Sequence, residues 1–246
     1  IVEDDDGNTL TMDLLAETNE YIIEDERFAG FKLGFAYYED TPLFYVNINN
    51  INWYFTNQTD DGSYYYLNKY GKLDKIITAP HALFSGYERY ASGRGYIWSR
   101  TLPLLKKHIV LGSGADTFVM AFPQQDYVGL DNYGFGDQLM TKPHNLYLQI
   151  GVQTGVLSLI AFLAFYIMYF ISSVRLYIKG SFKSYYAQVG VAILIATVGY
   201  MVLGIANDSS LTVAPVFWVL LGLGIAVNRL AKQRIEEDVA KDKTAK

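Results

Sequence analysis

KPHNLYLQIGVQTGVLSLIAFLAFYIMYFISS, residues 142–173, decides the fold class. From Pro143 to Val174 there is no Asp, Glu, Lys or Arg, and about twenty apolar residues suffice for a helix to cross the hydrocarbon core of a bilayer. The segment reads as a membrane span. His144 and Asn145 stand at its mouth, at or near one membrane face.

Working toward the C-terminus, two more charge-free apolar segments follow. The three spans are expected at about 155–173, 185–206 and 210–227, so that 144–228 forms the membrane part and 229–246 a charged tail. The link between the first two spans carries Arg175, Lys179 and Lys183 without an acid; the link between the last two carries Asp208 without a base; Arg229, Lys232 and Arg234 follow the third. Basic residues flank spans on the cytoplasmic side. The first link and the tail are therefore expected in the cytoplasm, and residues 1–143, with His144, outside it.

A hydrophobic share of 51% and a mean hydropathy of +0.10 conceal this division. Residues 1–143 carry a net charge of −9 and residues 144–246 one of +4, so the basic excess travels with the spans. The first residues, Ile1-Val2, lead straight into an acidic run, and an exported domain needs a segment that exports it. The chain is expected to be the C-terminal part of a longer polypeptide with further membrane helices upstream. With no cysteine, disulfides and thiolate chemistry are excluded.

Residues 1–27 read as an acidic turn, EDDDG, followed by a short helix or irregular segment. Its aspartates lack the spacing of a calcium loop. From 28 to 80, aromatic and β-branched runs (FKLGFAYY, LFYVNI, INWYFT, SYYYLN, LDKII) alternate with breaks at Glu39-Asp40-Thr41-Pro42, Asn49-Asn50, Asp60-Asp61-Gly62 and Tyr70-Gly71-Lys72. This predicts an antiparallel β-meander of four or five strands. Residues 53–76 resemble one hairpin of the choline-binding repeats, but such repeats work in arrays and no second copy follows; aromatic packing across a sheet accounts for the run.

Residues 81–143 read as helix and loop. Ser92 is the expected N-cap of a helix beginning near Arg94, with a kink or break at Pro103. Gly112-Ser113-Gly114 has neither the G-x-G-x-x-G nor the Walker pattern, and reads as a tight structural turn. Residues 124–140 have the Gly- and Asp-rich character of a mobile loop.

The runs SGRGYIWSR (Ser92–Arg100), LLKKHIVLGSGADTF (Leu104–Phe118), KPHNLYLQIGVQTGVLSLIAF (Lys142–Phe162) and APVFWVLLGLGIA (Ala214–Ala226) together resemble the O-antigen ligase and lipid-linked polysaccharide polymerase family. The resemblance implies a membrane α-helical, C-type glycosyltransferase-like fold, here partial, joined to an extracytoplasmic α+β region that contains the meander. It implies a bacterial cytoplasmic-membrane enzyme of cell-envelope biogenesis, inverting, with no cofactor and no metal. Its donor would be a glycan on an isoprenoid (undecaprenyl) pyrophosphate, and its acceptor a hydroxyl on a glycan or on a lipid or wall component. Partners are then the lipid-linked donor, the acceptor, the bilayer and the missing upstream helices, and not nucleic acid. Those upstream helices carry other arginines of the family, and the β region is a departure that points to a Gram-positive surface-polymer enzyme.

Displacing pyrophosphate from an anomeric carbon builds negative charge on the leaving oxygens, which arginine neutralises with permanent charge and forked donors. Arg94 matches the family's Arg-aromatic-Trp helix and is the expected pyrophosphate ligand. His144 matches the family histidine, either as general base toward the acceptor hydroxyl, since imidazole titrates near neutral pH, or as a pyrophosphate ligand. Lys142, Asn145 and Arg100 are the expected substrate-binding residues, for attracting phosphate, orienting His144 and lining the entry. Arg89 competes for the arginine role, and His81 and His108 read as structural. The competing function is a membrane-anchored binder of cell-wall glycan that stacks sugars on exposed Tyr and Trp. A transporter is disfavoured, because polar groups are scarce within the spans.

Overall fold

The computed structural model describes residues 2–48, 50–179 and 184–244. It resolves into two compact units, one of residues up to Thr78 with Gln125–Asn132, the other of Ala79–Gln124 with Tyr133 onward.

The first unit is a meander. After a small hairpin of β1 (Val2–Glu3) and β2 (Thr9–Leu10), seven antiparallel strands follow in chain order. They are β3 (Met12–Leu15), β4 (Glu20–Ile23), β5 (Lys32–Tyr38), β6 (Thr41–Ile48), β7 (Ile51–Thr56), β8 (Tyr65–Leu67) and β9 (Leu73–Asp74). The expected helix or irregular segment before residue 28 is thus corrected: β3 and β4 add two strands there, joined by a turn in which Asn19 takes a left-handed φ of 56°. Alternation of side chains across the strands puts Leu33, Val46, Trp53 and Phe35, Phe44, Phe55, Tyr66 on one face in register. Phe44 stacks on Phe55 with centroids 5.4 Å apart. The turn residues do what their chemistry allows. Asp61 accepts from the Ser63 N–H and from the hydroxyls of Thr59 and Tyr65, which holds its carboxyl well below the usual carboxylate range. Asn68 accepts from the Tyr70 and Lys72 N–H groups around Gly71. Of the Asn49-Asn50 break, Asn49 lies outside the described residues, while Asn50 has φ 65°. The short helix α3 (Tyr127–Asn132) packs at the β8–β9 end of the sheet, where the Tyr127 hydroxyl donates to Asp74.

The second unit is helical: α1 (Tyr90–Thr101), α2 (Phe118–Ala121), α4 (Leu146–Gln153), α5 (Val156–Lys179), α6 (Tyr185–Leu203) and α7 (Ala214–Thr244), with α3 (Tyr127–Asn132) belonging to the first. Within α5, α6 and α7, three stretches are long and apolar enough to cross a membrane: Val156–Ile178, Tyr185–Leu203 and Ala214–Glu237. Lys183 of the expected basic link lies outside the described residues. Tyr166, Tyr169, Met201, Phe217 and Leu221 form the core between these helices. One set of polar groups between these helices is paired, as lipid surroundings favour: the Tyr177 hydroxyl donates to Asn228, whose amide donates to Ser173. The buried hydroxyls of Tyr166 and Tyr169 have no hydrogen-bond partner among the described residues.

α4 and α5 are separated by a break at Thr154-Gly155 that would strand backbone groups near lipid. Residues 108–114 fill it. The N–H groups of Ser113 and Gly114 donate to the last carbonyls of α4, Val152 and Gln153, and the carbonyls of His108 and Ile109 accept from the first N–H groups of α5, Val156 and Leu157. The orphan groups of both helix ends are thereby satisfied. Gly112 is required because a Cβ there would collide with the backbone of Gln153 and Thr154. Gly112→Ala is expected to destabilise the protein by about 1–3 kcal/mol, whereas Gly222→Ala, with nothing within 4 Å of the added carbon, should leave it unchanged. Thermal unfolding of both variants in detergent checks this.

Candidate active site

Helix α1 is buried on every side from Tyr96 to Thr101. It does not begin as expected. Ser92 has φ 59° and ψ 44°, as part of a left-handed turn over Ala91, Ser92 and Gly93, so it cannot serve as an N-cap, which needs extended backbone. Regular helix starts at Arg94 and gives way at Pro103 to a tighter turn, Leu102–Lys106. Arg94 folds back over the left-handed turn, its Nη1 donating 3.1 Å to the Ala91 carbonyl. Its Nε is buried with no hydrogen-bond partner. A buried guanidinium N–H without an acceptor is uncommon in a folded protein.

One turn after Arg94, about 6 Å along the axis, the Trp98 indole N–H donates 2.9 Å to the carbonyl of Pro143 in a buried contact. This ties α1 to the residue that precedes His144. The approach to His144 is held a second time by Gln124, whose side-chain amide donates to the Met140 carbonyl and whose Oε1 accepts from the Met140 N–H. The expected mobile loop thus ends in a fixed strap.

Beyond Pro143, the chain docks into the link between α6 and α7. Asn145 caps α4, accepting from the Leu148 N–H, while its own amide donates 2.7 Å to the Ile205 carbonyl. The Leu146 N–H donates to the Gly204 carbonyl and the Ser209 N–H to Gln149 Oε1. At the centre is Asp208, its side chain 10% exposed: Oδ2 lies 3.0 Å from His144 Nδ1, and Oδ1 accepts from the Asn145 N–H at 3.3 Å. A carboxylate only accepts. In the neutral imidazole the proton therefore sits on Nδ1, and Nε2 is left with its lone pair. The His144 side chain is 48% exposed, so that lone pair is reachable.

The structure thus joins His144, Asn145 and the Arg94 helix through one buried hydrogen bond and one carboxylate. Lys142 is exposed two residues before His144. Arg100 is placed differently from the expected entry lining. It is buried, its Nη1 donating to Ser99 and lying 3.8 Å from Glu88, with the guanidinium 4.6 Å above the Tyr96 ring. Its charge serves the interior of the unit. Arg89 lies against the Tyr133 ring, His81 is exposed, and the His108 carbonyl serves the helix break. Asp208 was missed as a site residue. Its signal was present in the sequence as the single acid of a link at the same end of the spans as His144.

The family model for O-antigen ligase matches residues 41–163, half of the chain. The chain belongs to the O-antigen ligase family. The match takes in β6 to the first part of α5 and so contains Arg94, Arg100, Lys142, His144 and Asn145; Asp208 lies beyond it. It also reaches into the sheet, well before the Ser92 start of the sequence resemblance. No curated protein and no solved structure matches the chain. Membership in the O-antigen ligase family together with three membrane-length apolar helices makes this a membrane protein of glycosyltransferase type.

Asp208→Ala is expected to lower stability by about 1–3 kcal/mol, because the Asn145 N–H and the imidazole lose their acceptor. Asp208→Asn, which keeps an oxygen for the Asn145 N–H, should lose less. Thermal unfolding in detergent separates the two.

Proposed function

We propose that the His144–Asp208 pair and Arg94 form the catalytic end of a C-type, inverting membrane glycosyltransferase. Its donor is a glycan on an isoprenoid pyrophosphate, and its acceptor a hydroxyl of a glycan or of a lipid or wall component. The observation that carries the reading is the 3.0 Å contact between Asp208 and Nδ1 of the half-exposed His144, which orients the ring so that Nε2 acts as the base. The acceptor oxygen attacks the anomeric carbon and its proton passes to Nε2. The bond from that carbon to the pyrophosphate oxygen breaks with inversion, and the pyrophosphate leaves with both electrons. Its growing charge is met by the guanidinium of Arg94 and by Lys142 at the entry.

Two further features support a lipid-linked donor. An apolar groove of about 260 Å³ runs along α5 and α6, lined among others by Tyr147, Tyr166, Phe170, Val198, Met201 and Ile205. Ile205 is the residue whose carbonyl holds Asn145, so the groove begins beside the site and suits an isoprenoid chain. Arg175 and Arg229 lie toward the other end of the spans, near the Tyr177–Asn228 pair. By the positive-inside bias that end faces the cytoplasm and His144 faces out.

A second reading, glycan binding without catalysis, has one observation in its favour: Phe35, Tyr37 and Tyr64 of the sheet unit are largely exposed. The two part company in the full-length enzyme. His144→Ala is expected to cut polymer formation or ligation by about 10²–10⁴-fold with membrane insertion intact, and Arg94→Ala by about 10²-fold or more. Wild-type product from His144→Ala would refute the catalytic assignment.

A further inference from the structure

The segment Lys106–Leu111 combines two features that neither its turn chemistry nor the site requires. Ile109, Val110 and Leu111 are 54%, 65% and 79% exposed, three aliphatic side chains in a row. Ahead of them, before the half-buried His108, Lys106 and Lys107 are exposed, and among the described residues neither has a carboxylate within ion-pair distance. Exposed apolar runs of this kind mark a contact surface.

Its height relative to the membrane is fixed by hydrogen bonds. The carbonyls of His108 and Ile109 accept from Val156 and Leu157, the first turn of α5. The apolar stretch that starts there has 23 residues, about 34 Å as a helix against about 30 Å of hydrocarbon. Its first turn therefore lies at the boundary between acyl chains and headgroups. On α5 the exposed Leu157, bonded to Ile109, and Ile160, one turn further along, continue the aliphatic surface into the span.

We infer that Lys106–Leu111 is a membrane-surface anchor: Ile109, Val110 and Leu111 dip among the acyl chains of the leaflet at the His144 end, and Lys106 and Lys107 pair with anionic phospholipid headgroups. Apolar burial joined to basic residues is the chemistry of interfacial anchoring. The occupant is lipid, because the patch is continuous with the exposed aliphatic face of a membrane-length helix, α5, and its charges complement an anionic surface. Since Ser113 and Gly114 cap α4, the anchor sets the level at which α4, and with it His144, meets the bilayer. The inference rests on the membrane reading of α5, not on the transfer reaction.

These 246 residues contain no cysteine, so single cysteines for environment-sensitive labels are introduced with any cysteine elsewhere in the polypeptide replaced. Val110→Cys, Ile167→Cys in mid-α5 and Tyr87→Cys, largely exposed outside the spans, are each labelled with a nitrobenzoxadiazole maleimide in the full-length protein. The protein is placed in vesicles of phosphatidylethanolamine and phosphatidylglycerol. The label at 110 is expected to be quenched by phospholipid carrying a spin label near the glycerol backbone, and quenched by aqueous iodide about threefold or more weakly than at 87. Lys106→Gln with Lys107→Gln, or phosphatidylcholine in place of phosphatidylglycerol, should weaken the lipid quenching. Iodide quenching at 110 equal to that at 87 would overturn the anchor, and so would shielding from both quenchers, which marks a protein cover. Iodide quenching at 167 as strong as at 87 would overturn the membrane placement of α5 itself.

Discussion

One carboxylate, that of Asp208, holds the His144 end of the helical unit together. It receives the Nδ1 side of His144 and the backbone N–H of Asn145 at once, so that the His144 ring and the cap of the helix behind it share a single support. Around it, carbonyls and N–H groups of the α6–α7 link pair with Leu146, Asn145 and Gln149. The link thus recovers for α4 what a helix start loses. His144 itself takes φ 50°, a left-handed conformation that a non-glycine residue holds only when its surroundings enforce it. The docking supplies that enforcement.

The same logic recurs at the other end of α4. A helix that breaks near a lipid phase leaves donors and acceptors that water does not reach, and the 108–114 segment answers four of them with its own backbone. The Gly-Ser-Gly turn is therefore neither a phosphate cradle nor a mere connector, but the splice between two helices. Because α4 is held from both ends, the position of His144 depends on parts of the chain that lie far from it in sequence. The Trp98–Pro143 hydrogen bond adds the third support and brings in the helix bearing Arg94.

Much of this was legible in the residues. The charge-free runs announced the three apolar helices, and the breaks at Glu39-Asp40, Asp61-Gly62 and Gly71 marked turns that the sheet uses. What the sequence concealed has physical causes. β3 and β4 hide in an acidic stretch whose turn relies on Asn19 in a left-handed conformation rather than on glycine. Ser92 has the chemistry of an N-cap but sits in a turn whose backbone forbids that role. Arg100 resembles a surface cation until Glu88 and Tyr96 are brought around it. Asp208 is 64 positions from its imidazole, a pairing set by helix packing and by no local pattern. The site histidine could be read locally; the residue that orients it could not.

The central claim is that Arg94 and His144 serve one pyrophosphate. A polyisoprenyl pyrophosphate carrying a photoreactive diazirine next to the phosphates, irradiated on the full-length enzyme and mapped by peptide mass spectrometry, tests it directly. Adducts confined to the start of α1 around Arg94 and to the strap at 142–146 are the expected result. Adducts on the sheet, or on neither segment while donor binding persists, would contradict the account.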